Sequence, residues 1–142
     1  MRTNNLNKNI KPISQEHPMG CSVACVASLC GLSYQEALSL FNTPKLAWGR
    51  GFYCGEIVEA LTRKKLAYKF EKFINKKHKE ILAEPGTIIF TAADKTYPAG
   101  HFFLRAETGW MNPWSNYPQM IPVETSIQTE IYGKISYLIF EV

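Results

Sequence analysis

From Cys21 to Leu29 the chain reads CSVACVASL, small and apolar on nearly every side, which predicts a helix buried all round. Gly20 and Gly31 stand at its start and stop positions. Ser33 with Glu36 has capping-box spacing and opens a second helix through about Phe41, ended by Asn42, Thr43 and Pro44. Ile57, Val58, Ala60 and Leu61 put an apolar stripe on a third helix, from about Gly55 to Lys65. The period then shortens toward two. Ala67 to Phe73 reads as a strand with Tyr68 and Phe70 on one face and Phe73 out of step. Lys76 to Leu82 reads as a short helix, Glu84-Pro85-Gly86 as a turn and Thr87 to Phe90 as a buried strand. His101 to Arg105 and Gly109 to Asn112 form a hairpin turning at Glu107-Thr108-Gly109, and Ile135 to Glu141 supplies a last strand. Helices first and antiparallel strands afterwards predict an α+β fold, a helical half packed on a sheet.

The chain has 142 residues, 46% hydrophobic and 20% charged, the profile of one globular domain. We expect that domain over 15–142, behind a polar, Asn-rich, flexible lead-in over 1–14. A core of this size needs no metal or disulfide staple. Apolar runs are short, as in Val23 to Ala27, which excludes a transmembrane helix of about 20 residues. The lead-in carries no apolar run of the kind a signal peptide requires, so the expected address is cytoplasmic, or outside the cell by a signal-independent route. Half of the 16 basic residues crowd between Arg63 and Lys79, including Lys64, Lys65, Lys69 and Lys72. Such a run is most often a solvated face, and nucleic acid is the minor reading. The four cysteines, Cys21, Cys25, Cys30 and Cys54, form neither a CxxC pair nor a zinc spacing. Reduced thiols are expected, with Cys25 and Cys30 as core packing.

The segment QEHPMGCSVAC, Gln15 to Cys25, carries the chemistry. Cys21 at the first turn of the buried helix would meet unpaired N–H groups and a positive dipole end, which favour a thiolate and can face an oxyanion. Gln15 could lie beside the helix start and offer its amide as a second donor. A cysteine nucleophile also needs a base, and the base needs an orienter. Of the three histidines, His17 precedes Pro18 and reads as part of a turn, and His78, among Lys76, Lys77 and Lys79, reads as surface. His101 opens the apolar strand GHFFL and stands either as the base or as a satisfied strand-end histidine. Asn112, across the hairpin, could accept from one ring nitrogen and leave the other for sulfur. Trp110 and Trp114 bracket Asn112, as shields or as core. Trp48, Phe52 and Tyr53 precede the third helix, either lining a cleft or packing inside.

Gln–x5–Cys–x2–Ala–Cys on an apolar helix, then a strand-opening His, then Asn-Pro, resembles the papain-like cysteine peptidases. Within them it is most similar to the bacteriocin-processing, double-glycine-leader peptidases. The matching residues are Gln15, Cys21, Ala24, Cys25, His101, Asn112 and Pro113, and Gly51 to Leu61 is similar to that family's middle helix. The resemblance covers about Gln15 to Val142. It implies a papain-like fold with Cys21 as nucleophile, His101 as general base and acid, Asn112 as orienter and Gln15 as oxyanion donor. The chain departs from it at Gly20, where Asp is usual, at Ser22, where Gly is usual, and at Asn112, where Asp is typical.

The function expected is a thiol peptidase or amidase working through an acyl-thioester, with no metal or organic cofactor, acting on a peptide or protein. It would serve either as a processing enzyme or as a delivered toxin or effector domain, the latter matched by an inhibitor or immunity protein. The alternatives are acyl transfer of the transglutaminase or deamidase kind, and an inert binding module on the same scaffold.

Overall fold

The computed structural model describes residues 9–142; residues 1–8 of the expected lead-in lie outside the described residues. Helix α1 (Cys21–Cys30) is buried from Cys21 through Leu29. Its small side chains let neighbours approach on every side. It ends at Gly31, whose left-handed backbone (φ 69°) turns its N–H onto the Ala27 carbonyl. α2 (Tyr34–Leu38) opens with both bonds of the Ser33–Glu36 capping box: Glu36 N–H donates to Ser33 Oγ at 3.1 Å, and Ser33 N–H to Glu36 Oε1 at 2.9 Å. It stops three residues before Phe41. A 3-10 segment over Pro44–Trp48, unforeseen from the pattern, leads to α3 (Cys54–Arg63).

Six strands follow: β1 (Tyr68–Lys72), β2 (Ile88–Thr91), β3 (His101–Arg105), β4 (Trp110–Asn112), β5 (Ser126–Gln128) and β6 (Ile135–Glu141). They form one sheet in the order β1-β6-β2-β3-β4-β5, every neighbouring pair antiparallel. This is the α+β arrangement of N-terminal helices on an antiparallel sheet. The expected Lys76–Leu82 helix is instead α4 (Asn75–His78) and a separate 3-10 turn over Ile81–Ala83. β5 escaped the sequence reading because its three residues are all half-buried and carry no alternation.

Phe102 and Leu104 of β3 join the core around α1, while Phe103 joins Ile89, Trp110, Leu138 and Phe140 on the other face. The sheet therefore has apolar cover on both sides. Ile10 and Ile13 lie against the α1 core, and Gln15 N–H donates to the Pro113 carbonyl at 3.2 Å, which brings the segment before α1 to the end of β4.

Two surface assignments change. Phe70 does not share the burial of Tyr68, though it is on the same face; it is 45% exposed, bordering an open apolar hollow with Phe52, Tyr53 and Tyr137. His78 is not surface: it is fully buried between Phe73 and Phe140 while its lysine neighbours stay outside. Its Nδ1 accepts from Ile74 N–H at 2.9 Å, so Nε2 carries the proton it donates to Glu71 at 2.8 Å. The Glu71 carboxyl is held down at about 2 by that bond and by Lys77 and Lys69. Among the described residues no helix is long and apolar enough to cross a membrane.

Candidate active site

Cys21 is the first residue of α1. Gly20 caps the helix without a side-chain bond, no acidic residue stands in the first turn, and the first intrahelical bond runs from Ala24 N–H to Gly20 O at 3.1 Å. The N–H groups of Cys21, Ser22 and Val23 thus have no intrahelical partner, and the positive helix end is unneutralised. The tight entry is made by the His17–Gly20 turn, closed by Gly20 N–H to His17 O at 3.1 Å. A side chain at Gly20 would crowd its neighbours. A Cβ would stand 2.0 Å from Tyr34 Oη, which is itself 2.9 Å from His17 Nδ1.

Cys21 and His101 line one cleft of about 200 Å³, walled by Pro18, Met19, Tyr97 and Trp114. His101 is brought there by Gly100, whose φ of +79° and closeness to Phe90 and the Thr91 carbonyl leave no room for a side chain. The hairpin register pairs Leu104 with Met111 and Arg105 with Trp110. Extending it sets Asn112 opposite Phe103, so His101 and Asn112 are diagonal neighbours on one face rather than a directly opposed pair. The imidazole still spans the diagonal: His101 Nε2 and Asn112 Oδ1 are 2.8 Å apart.

The polarity of that bond follows from its surroundings. The Trp114 backbone N–H, which can only donate, reaches Asn112 Oδ1 at 3.0 Å. Asn112 Nδ2 donates to Tyr97 Oη at 2.9 Å and to Gln128 Oε1 at 3.0 Å. The carboxamide oxygen is therefore an acceptor twice over, and neutral His101 carries its proton on Nε2, which leaves the Nδ1 lone pair free to accept.

The expected thiolate is corrected. Burial pushes the Cys21 thiol up to about 11, and the N–H groups of Phe102, Ser22 and Cys21 beside the sulfur offset this only in part. Burial also lowers His101 to about 4, against the opposing pull of the Asn112 bond and the Asp94 charge. Dipole and donors are present, but desolvation outweighs them, and the resting pair is a thiol and a neutral imidazole.

Gln15 is buried beside the helix start, yet its Nε2 donates to the His17 and Pro18 carbonyls at 2.9 and 3.1 Å. Both amide protons are committed within the turn, so Gln15 braces the entry to α1 rather than presenting a free donor. Its Oε1 and the Ser22 hydroxyl are buried without a hydrogen-bond partner.

Trp114 lines the cleft and donates Nε1–H to Gln119 O at 2.7 Å, whereas Trp110 is core on the sheet's other face. Phe52 and Tyr53 border a narrow pocket of about 100 Å³ shared with Cys21, and with Phe90 and Phe102 they continue into an apolar hollow of about 310 Å³. Trp48 lies instead against His17, ring centroids 3.7 Å apart. Cys25 is core and Cys30 half-buried beside it; all four cysteines are free. Tyr97 and Gln128 were missed from the sequence, since neither a loop tyrosine nor a glutamine in a three-residue strand carries a periodic signal. No protein-family model matches the chain, and no curated protein matches it either.

Proposed function

We propose that the chain is a cysteine peptidase or amidase of papain-like architecture, in which Cys21 attacks an amide carbonyl and His101 handles the protons. The observation that carries this reading is the 2.8 Å bond from His101 to an Asn112 oxygen whose acceptor role is fixed by Trp114 N–H, in the same cleft as a thiol at an open helix start. It supports a base with one defined free nitrogen.

The mechanism is general-base rather than a preformed ion pair. Moving the proton from a thiol at about 11 to an imidazole at about 4 costs roughly 10 kcal/mol. Even unit charges in near contact attract by only about 4 kcal/mol at an effective dielectric of about 20. The transfer therefore accompanies bond formation. As Sγ bonds to the carbonyl carbon, the thiol proton passes to His101 Nδ1, and the carbonyl oxygen becomes an oxyanion facing the N–H groups of Cys21 and Ser22 at the helix start. Collapse breaks the C–N bond, and His101 gives its proton to the leaving amine. Water then attacks the thioester while Nδ1 takes its proton, and that proton returns to sulfur as the acid leaves. The apolar hollow beside the nucleophile suits an extended peptide with a bulky apolar side chain.

A second reading, an inert binding module, is favoured by the 8% exposure and raised thiol of Cys21. One experiment separates the two. Unfolded polypeptides are incubated with wild type, Cys21→Ser and His101→Ala, and the products and acyl-enzyme are read by mass spectrometry. The peptidase reading expects cleavage that vanishes in Cys21→Ser and slows by about 10²–10⁴-fold in His101→Ala. Cleavage that survives Cys21→Ser, or no cleavage together with a Cys21 inert to peptidyl electrophiles, overturns it.

A further inference from the structure

We infer that Tyr97 is a positioning residue that locks the ring plane and tautomer of His101, and that Asp94, the one aspartate of the chain, acts through it. The assignment rests on the proposed reaction for its catalytic consequence but not for its geometry.

An imidazole at the end of a strand has two freedoms to lose, its ring plane and the choice of edge presented within that plane. Tyr97 limits the first: its ring lies flat on His101, centroids 3.8 Å apart and planes 3° from parallel, and Phe103 closes the ring edge-on at 4.9 Å and 85°. Asn112 limits the second, because a half-turn of the ring would set a carbon where Nε2 meets Oδ1. That restraint works only if the carboxamide keeps its own orientation, and here Tyr97 acts again. Its hydroxyl proton is committed to the Trp114 carbonyl at 2.7 Å, so Oη can meet Asn112 only as an acceptor, which selects the NH2 end at 2.9 Å.

Tyr97 is held in turn by its backbone. Asp94 Oδ1 accepts from Tyr97 N–H at 2.7 Å, and the Tyr97 carbonyl accepts from Asp94 N–H at 3.1 Å and from Gly100 N–H at 2.9 Å. The loop from Asp94 to Gly100 is thereby closed on itself immediately before His101. Tyr97 lines both the thiol cleft and a second hollow bordered by Asp94, Asn112 and Gln128.

The test uses Tyr97→Phe, which keeps the ring and removes Oη, and Asp94→Ala with Asp94→Asn, which remove and retain the carbonyl acceptor. Nitrogen-15 NMR of the histidine ring reads tautomer and Nε2–H exchange whether or not the protein cleaves anything. Wild type is expected to show one Nε2–H tautomer. Tyr97→Phe and Asp94→Ala are expected to speed Nε2–H exchange and lower kcat by about tenfold each with KM nearly unchanged, and Asp94→Asn to restore both. A single tautomer with unchanged exchange in Tyr97→Phe overturns the assignment, even if cleavage slows. Altered exchange in a chain that cleaves no substrate upholds the positioning role and removes the peptidase reading alone.

Discussion

Replacing His101 by glutamine removes one titrating group from the centre of the site, and its effect on stability has a definite sign. The folded protein holds the imidazole at about 4, below its ordinary 6.5, because burial disfavours the charged ring. As pH falls through 6.5 the unfolded chain takes up a proton that the folded chain refuses. Stability conferred by the neutral imidazole is therefore complete above pH 6.5, declines between 6.5 and 4, and is lost below. At about 1.4 kcal/mol per pH unit the interval is worth about 3 kcal/mol, a large part of the roughly 5–15 kcal/mol that holds a typical domain together. Urea unfolding followed by tryptophan fluorescence, from pH 8 to pH 4, measures it directly. Every other ionisable group is common to both proteins, so the difference between wild type and His101→Gln isolates His101. Wild type should lose about 3 kcal/mol more than the variant over this range. Equal losses, or an NMR titration of His101 with a midpoint near 6.5, would show that the ring is not buried neutral. The general-base mechanism would fall with it.

Two further substitutions probe the surroundings. Asn112→Asp should destabilise the fold by about 1–3 kcal/mol in urea titrations at neutral pH, because the new carboxylate oxygen would face Tyr97 Oη and Gln128 Oε1 with no proton to give; unchanged stability would contradict the hydrogen-bond polarity assigned here. Gly20→Ala should cost about 1–3 kcal/mol by overpacking against Tyr34, read as a lowered melting temperature, and a variant as stable as wild type would mean that Tyr34 does not occupy that space.

The readable parts of this molecule are those in which chemistry repeats along the chain. The buried helix, its flanking glycines and the Ser33–Glu36 cap are local patterns, and each forms as read. The pairing of His101 with Asn112 was legible because two strands and a turn bring those positions near each other, although the side chains meet diagonally rather than face to face. What escaped depends on three-dimensional neighbours. His78 looked exposed because its lysine neighbours are, but one side of that short turn faces Phe73 and Phe140. Gln15 occupies the expected place, while its donors are consumed by two carbonyls of a turn whose geometry the sequence does not encode explicitly. The charge state of Cys21 was misjudged for the same reason. The helix dipole is legible from position in the chain, whereas the depth of burial that outweighs it is a property of the assembled core.

Under the proposed peptidase reading, two of the departures from the resembled family have a common physical basis. Aspartate is usual at the positions of Gly20 and Asn112, and this chain carries a negative charge at neither. At position 20 the space is filled by Tyr34, whose hydroxyl meets His17, so the helix entry is closed by aromatic rings. At position 112 the side chain gives two protons, to Tyr97 and Gln128, and accepts two. Only a carboxamide has two donors and a doubly accepting oxygen in one planar group. An anion at either place would stabilise a protonated His101, as a nearby opposite charge does. In the proposed reaction the imidazole, without such an anion, is neutral and available as a base at rest, and the positive charge it acquires during attack is balanced by the oxyanion forming at the helix start. On that reading the site suits charge that develops together in the transition state, with little charge stored beforehand.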